Sequence, residues 1–287
     1  MAEVSTPDLD RARTFVLTHG RLLDRLRLLH LAGEVEADRV AAALDAYRNP
    51  DGGYGHALEP DIRSPHSETT STLAALELLD HLGLHGTAQA EGALAWVGSV
   101  ITEDGGVPFM RHESEGWPLA PWMATDDKGC HLTFGYVAQA ARHGLTPAWL
   151  GRAQAWCDDR LDAPEGLGGY HLKYALKLLD ACDDDPLCEG RIEALRHHVR
   201  ADGSVPVSGG EDDEGLRPLV LSPEPDACSR RLFTDGQVAA DLDALAAGQE
   251  ADGGWTFDWA GWCPGQELEW RGALTVDALQ TLRRHGR

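Results

Sequence analysis

One short string recurs along the chain and limits what it can fold into. Asp51-Gly52-Gly53-Tyr54 returns as Asp104-Gly105-Gly106-Val107, as Asp202-Gly203-Ser204-Val205 and as Asp252-Gly253-Gly254-Trp255, with a degenerate Gly168-Gly169-Tyr170 between. The four aspartates are 53, 98 and 50 residues apart, so the middle gap holds two units. A period near 50 residues is the length of one helical hairpin with its loops, and a chain of such units stacks neighbour on neighbour.

The segments between the strings carry helical periodicity. Val35, Val40, Leu44 and Tyr47 form one apolar stripe over 34–48, the pattern of a helix with one face in water. Asp-Gly-Gly is expected to stop that helix, glycine supplying the positive φ of a C-terminal cap. Residues 69–82 and 170–181 are apolar around most of their circumference, as in Leu73, Leu76, Leu78 and Leu79 or Leu172, Leu176, Leu178 and Leu179. Such helices are buried on several sides. Amphipathic outer helices alternating with apolar inner ones predict an all-α fold, an α/α toroid of about six hairpins and eleven helices. The reading is a single domain over 1–287. Two inserts, 108–128 with its Pro, Trp and Gly and 205–232 with its prolines and the acidic Glu211-Asp212-Asp213-Glu214, read as rim loops.

The last copy, Gln249-Glu250-Ala251-Asp252-Gly253-Gly254-Trp255, resembles the QxxxGxW motif of squalene–hopene and oxidosqualene cyclases. Protein prenyltransferase β subunits share that toroid and weaker forms of the repeat. The other copies keep the glycine but carry Arg48 or Ile101 in place of the glutamine. The chain as a whole is similar to the short bacterial prenyltransferase and squalene-oxidase repeat proteins. The resemblance implies a terpene-cyclase-like or prenyl-chain-binding protein with an aromatic-lined cavity and, if catalytic, acid-initiated cyclisation or isomerisation. The cyclases carry two helical domains where this chain has room for one. Two other readings stand beside it: a non-catalytic binder of a hydrophobic small molecule or peptide, and a zinc enzyme like the prenyltransferases or lanthionine cyclases.

In such a toroid the N-termini of the inner helices gather at one mouth, where helix dipoles favour acidic groups. His56, Glu59, Asp61, Trp122, His131, Trp259, Trp262, Trp270 and Arg271 fall on the expected rim and are the candidate ligand-binding residues. Ala124-Thr125-Asp126-Asp127 stands where the cyclases carry DxDD, with Ala124 replacing the first aspartate. Asp126 and Asp127 are therefore candidate acids, because adjacent carboxylates can keep one member protonated. They are equally the N-cap acids of the helix at 130–142. Glu269 is expected at the start of the last inner helix, as a third candidate catalytic group. Asp158-Asp159-Arg160-Leu161-Asp162 spells a diphosphate motif of another fold, and Asp183-Asp184-Asp185-Pro186 reads as a solvated turn.

Zinc donors are present as Cys130-His131 and Asp226-Ala227-Cys228, but no complete ligand spacing is. The reading is no metal and no cofactor. The formal net charge of −22 opposes nucleic-acid phosphate and anionic lipid. No apolar run approaches the roughly 20 residues of a membrane helix, and Met1–Asp10 shows no leader. Six cysteines without a CxxC pair read as reduced thiols. The expectation is a cytoplasmic protein whose partner is a hydrophobic small molecule, prenyl or terpenoid in kind.

Overall fold

The computed structural model describes residues 6–182, 187–207 and 215–287. The acidic strings Asp183–Pro186 and Glu211–Glu214 lie outside these described residues. Among the described residues there are twelve α-helices, and the sheet is one antiparallel pair of two-residue strands, β1 (Val205–Pro206) and β2 (Gly215–Leu216). The expected absence of sheet is close to what is found.

The chain divides into two compact units. The first joins Met1–Ala46 to Val238–Arg287. It contains α1 (Leu9–His19), α2 (Leu22–Leu31), α3 (Ala37–Leu44), most of α11 (Asp235–Ala247) and α12 (Pro264–Arg284). Asp8 caps α1 by accepting from the Arg11 amide at 3.0 Å, satisfying one of the orphan donors of the first turn. Both α1 and α2 pack on α12. Phe15 and Val16 of α1 and Val276 of α12 are buried there.

The second unit is Tyr47–Gln237. It carries α4 (Thr69–His81), α5 (Ala88–Val97), α6 (Leu132–Arg142), α7 (Leu150–Leu161), α8 (Tyr170–Ala181), α9 (Leu187–Ala194) and the four-residue α10 (Pro218–Leu221). Helix α6 packs between α4 and α8, and every residue from Leu132 to Ala140 is buried. Gly135 allows this, because a Cβ there would lie 2.7 Å from Leu73 and 2.9 Å from Tyr174.

The repeated string has one structure in all four copies, and it is not a helix cap. Helix α3 ends at Leu44 with a 3-10 turn to Tyr47, and α5 ends at Val97, several residues before their glycines. Each string instead closes a tight hairpin. The Asn49 amide donates to Gly53 O at 2.8 Å and the Gly52 amide to Asn49 O at 3.0 Å. The same pair of bonds recurs at Thr102–Gly106, Arg200–Ser204 and Glu250–Gly254. The aspartate adds a bond to the amide two residues on, at 3.0 Å for Asp51 and 3.1 Å for Asp104 and Asp252. The first glycine sits at φ between 89° and 98° in every copy, a region that disfavours any side chain.

The second glycine is required by contact rather than by conformation. A Cβ on Gly53, Gly106 or Gly254 would lie 2.7 to 2.8 Å from the ring of Trp96, Trp156 or Phe15 on an outer helix. An arginine covers each ring, Arg111 on Trp96, Arg160 on Trp156 and Arg271 on Phe15, at 5.5, 3.4 and 4.6 Å. The following residue is then tied to an inner helix. The amides of Tyr54, Val107 and Trp255 donate to the hydroxyls of Thr72, Thr133 and Thr275 at 2.9, 2.8 and 3.0 Å. Tyr54 and Trp255 are themselves buried packing residues.

Candidate functional site

In the second unit, helices α4, α6 and α8 begin side by side. The Tyr136 hydroxyl of α6 donates to Thr69 O at the start of α4 at 2.6 Å. His131, the residue before α6, stacks on Tyr170 and Tyr174 of α8, with centroids 5.8 and 5.4 Å apart. Phe109 and His171 approach the same imidazole at 5.6 and 5.4 Å. Burial first, then the fields of His171 and Lys173, push the His131 imidazole down to about 3. It is a neutral ring at physiological pH, held among four other rings.

From this aromatic end a strip of partly accessible side chains runs along the helices. On α4 it is Thr70, Ala74 and Glu77, spaced four and three residues, and on α8 it is Tyr170, Lys173, Tyr174 and Lys177. These spacings put each set on one helix face. Glu77 and Lys177 meet at 2.5 Å, so the two faces look onto the same space. Burial opposes the Glu77 charge, but Lys177 outweighs it and holds the carboxyl below its usual range. Lys173 and Lys177 lie over the Tyr174 ring at 5.4 and 5.0 Å. Thr70 Oγ1 is buried on the strip without a hydrogen-bond partner among the described residues. The wall is thus aromatic at the helix starts and polar two turns further along.

The insert 108–128 lies against this end of the unit. Ile62 bridges to Leu119, and the Ala120 amide donates to Asp61 O at 2.9 Å. Glu68, directly before α4, is fully buried. It accepts from the Arg111 amide at 3.1 Å and from the Ser114 hydroxyl. Burial raises its carboxyl above the usual range despite those bonds.

The residues expected from the sequence fall into two sets, one in each unit. His131 sits in the centre of the aromatic cluster. Glu59 is half-buried, and its backbone amide donates to Ser71 Oγ of α4 at 3.3 Å. Asp61 is buried and accepts from the Trp122 indole at 3.3 Å, while Trp122 is itself 40% exposed. His56 is exposed in a left-handed conformation, φ 54°, with Nε2 3.0 Å from Asn49 Oδ1. It closes its own loop.

Asp126 and Asp127 are both exposed. Asp127 lies 3.0 Å from His112 Nε2, and Asp126 accepts from the Lys128 amide at 3.0 Å. Neither is enclosed by the protein. They do not cap α6 either, because His131 occupies the cap position and no side chain bonds there.

In the first unit, Trp259 stacks on Phe257 at 4.6 Å and meets Trp270 edge-on at 5.4 Å, and Trp262 is half-buried. Arg271 clasps both oxygens of Asp252 at 2.8 Å and covers Phe15. Helix α12 begins at Pro264, with Cys263 as its cap, not near Glu269 as expected. Glu269 is half-buried in the second turn, past the reach of the helix-end dipole.

Tyr170, Tyr174, Glu77 and Lys177 are not in the sequence-derived set. The signal for the α8 residues was present, as two tyrosines and two lysines each four apart on a leucine-rich helix. The zinc donors do not converge: no group of three His, Cys, Asp or Glu side chains able to hold a metal occurs among the described residues. Burial pushes the Cys130 thiol up to about 12, away from the thiolate that zinc takes. No described helix is long and apolar enough to cross a membrane.

No known protein-family model matches the chain, and no curated protein matches it. Solved structures do. A protein from Actinoplanes is 16% identical, over 99% of this chain and 92% of its own, with a TM-score of 0.54. The type II terpene cyclase MstE from Scytonema, in a variant bound to geranylgeranyl dihydroxybenzoate, is 13% identical over 96% of this chain and 97% of its own, with a TM-score of 0.54. Another MstE variant, bound to its product merosterolic acid A, is 14% identical over 96% and 95%, with a TM-score of 0.55. At such identities the likeness speaks for architecture alone. The chain is all-α, with the α/α-toroid type of fold found in these type II terpene cyclases.

Proposed function

We propose that this protein binds a prenyl-derived ligand along the strip formed by α4 and α8, as a terpene-cyclase-like protein. The observation that carries the reading is the cluster of His131, Tyr170, Tyr174 and Phe109 at the helix starts. Flat, partly accessible rings offer an isoprenoid chain large apolar contact at little entropic cost, and the ring faces attract positive charge. Lysine ammoniums already occupy such positions over Tyr170 and Tyr174. The neutral His131 imidazole adds no charge against a cationic intermediate. The shared fold with MstE, a type II terpene cyclase bound to a geranylgeranyl compound, supports the same ligand class.

A second reading, binding without turnover, is favoured by one observation: Asp126 and Asp127 are exposed. The test is titration of the protein with geranylgeraniol, followed by chromatography for cyclised isomers. Saturable binding is expected, weakened about tenfold or more in Tyr174→Ala, which loses most of one aromatic face. Isomers formed at a rate set by protein concentration would support turnover, and binding without them would support the second reading. No binding, or binding indifferent to Tyr174→Ala in a variant of matched melting temperature, overturns the proposal.

A further inference from the structure

The wall just described contains a feature that an all-hydrocarbon ligand does not explain. Glu77 and Lys177 form an ion pair at 2.5 Å on faces of α4 and α8 that also carry Thr70, Lys173 and two tyrosines, and the paired side chains are only 23% and 24% exposed. Each partner uses one side of its charge on the other. A carboxylate has about four lone-pair sites and an ammonium has three donors, and Lys177 spends a further part of its charge on the Tyr174 ring. Covering this pair with a bare polyene would strip its remaining water and return nothing. In a low-dielectric setting that loss is large. Thr70, on the same face of α4 and seven residues away, has a buried hydroxyl without a partner among the described residues. Besides Lys173 at the aromatic end, the strip therefore has two polar positions where a ligand can make hydrogen bonds.

We infer that the ligand is a prenyl chain bearing a neutral hydroxyl or phenol, which bonds to both Glu77 and Lys177 at their free sides. The inference rests on the proposed function above and names the chemical class within it. An O–H group donates to the Glu77 carboxylate and accepts from the Lys177 ammonium in one position, which suits a pair that carries both signs. A diphosphate is disfavoured on two counts. It would gain from Lys177 and Lys173 but face Glu77, and it would approach a chain of formal charge −22. A hydrocarbon without oxygen is disfavoured by the uncompensated pair. Glu77 and Lys177 are then specificity-determining residues. They choose the head group, while the rings of His131, Tyr170 and Tyr174 hold the chain.

The experiment compares three probes on the wild-type protein by calorimetric titration: geranylgeraniol, the corresponding hydrocarbon lacking the hydroxyl, and geranylgeranyl diphosphate. The alcohol is expected to bind about 10- to 100-fold more tightly than the hydrocarbon, the discrimination of one or two hydrogen bonds to charged partners. The diphosphate is expected to bind more weakly than the alcohol. The double variant Glu77→Gln/Lys177→Met removes both charges together and leaves no lone buried ion. It should bind the hydrocarbon at least as well as wild type does and lose the preference for the alcohol. Its melting temperature, measured alongside, shows that it is folded. Equal binding of alcohol and hydrocarbon by wild type, tightest binding of the diphosphate, or an alcohol preference that survives the double change each overturns this inference and leaves the proposed function standing. Failure of all three probes to bind overturns both.

Discussion

At the scale of single residues, three threonines connect the repeat to its helices. Thr72, Thr133 and Thr275 accept the buried amide that follows each Gly-Gly. Replacing Thr133 with valine keeps the shape and leaves the Val107 amide without an acceptor. The expected loss is about 1–3 kcal/mol, read as a lower denaturant midpoint at unchanged slope, whereas Thr133→Ser should recover most of it. This contact was invisible in the sequence for a physical reason. The partners are 18, 26 and 20 residues apart, because the intervening loop differs in each hairpin. Asp-Gly-Gly was legible because its demands, a positive φ and a side-chain oxygen over the next turn, are met within four residues. The Glu77–Lys177 pair spans 100 positions and nothing local announces it. His131 was found because a histidine before an apolar run is conspicuous, while its tyrosine partners looked like ordinary helix residues.

Among the elements, the insert 108–128 is closed on itself by a clasp that depends on pH. His112 Nδ1 lies 2.7 Å from Glu115 Oε1 and its Nε2 lies 3.0 Å from Asp127 Oδ1. Both nitrogens can donate only when the ring is charged. Hydrogen bonds to Glu115 and then Asp127 raise the His112 pKa above its usual value. With the folded value raised, the clasp contributes in full below the unfolded value of about 6.5 and is lost as pH rises through the folded one. Protection of the 112–127 amides, taken against the intrinsic exchange rate at each pH, is therefore expected to fall above that pH in the wild type. In His112→Gln it should be low throughout. Protection that does not change with pH in the wild type would mean that the clasp does not hold the insert closed. The start of α12 teaches the complementary lesson about elements. Its true beginning at Pro264 was obscured by the aromatic cluster around Trp259 and Trp262, and the charged Glu269 and Arg271 drew the boundary too late. The inner helices at 69–82 and 170–181, in contrast, emerged within a residue of Thr69–His81 and Tyr170–Ala181, because nothing but a helix explains leucines at that spacing.

On the scale of the whole molecule, the path of the chain matters more than any single contact. The first unit is assembled from two stretches, Met1–Ala46 and Val238–Arg287, with the whole of Tyr47–Gln237 between them. If the second unit unfolded alone, the first would have to hold the ends of a very long flexible loop, at a closure cost of roughly 4–5 kcal/mol. That is comparable to the net stability of many domains. The two units are thus expected to melt together, and calorimetry should give one transition with equal van't Hoff and calorimetric enthalpies. Two resolved transitions would show that the units are thermodynamically separate.

The same interruption sets an order of events during synthesis. Helices α1 and α2 are translated before the second unit, but α12, against which both pack, only after it. At about 5–20 residues per second the wait is roughly 10–50 s. For that interval Phe15, Val16 and Leu23, all buried in the finished protein, have no core to enter. The contiguous second unit can meanwhile complete itself. A nascent chain built this way presents an unsatisfied apolar segment upstream of the second unit while that unit is being made, and that segment is where a ribosome-associated chaperone would find its work.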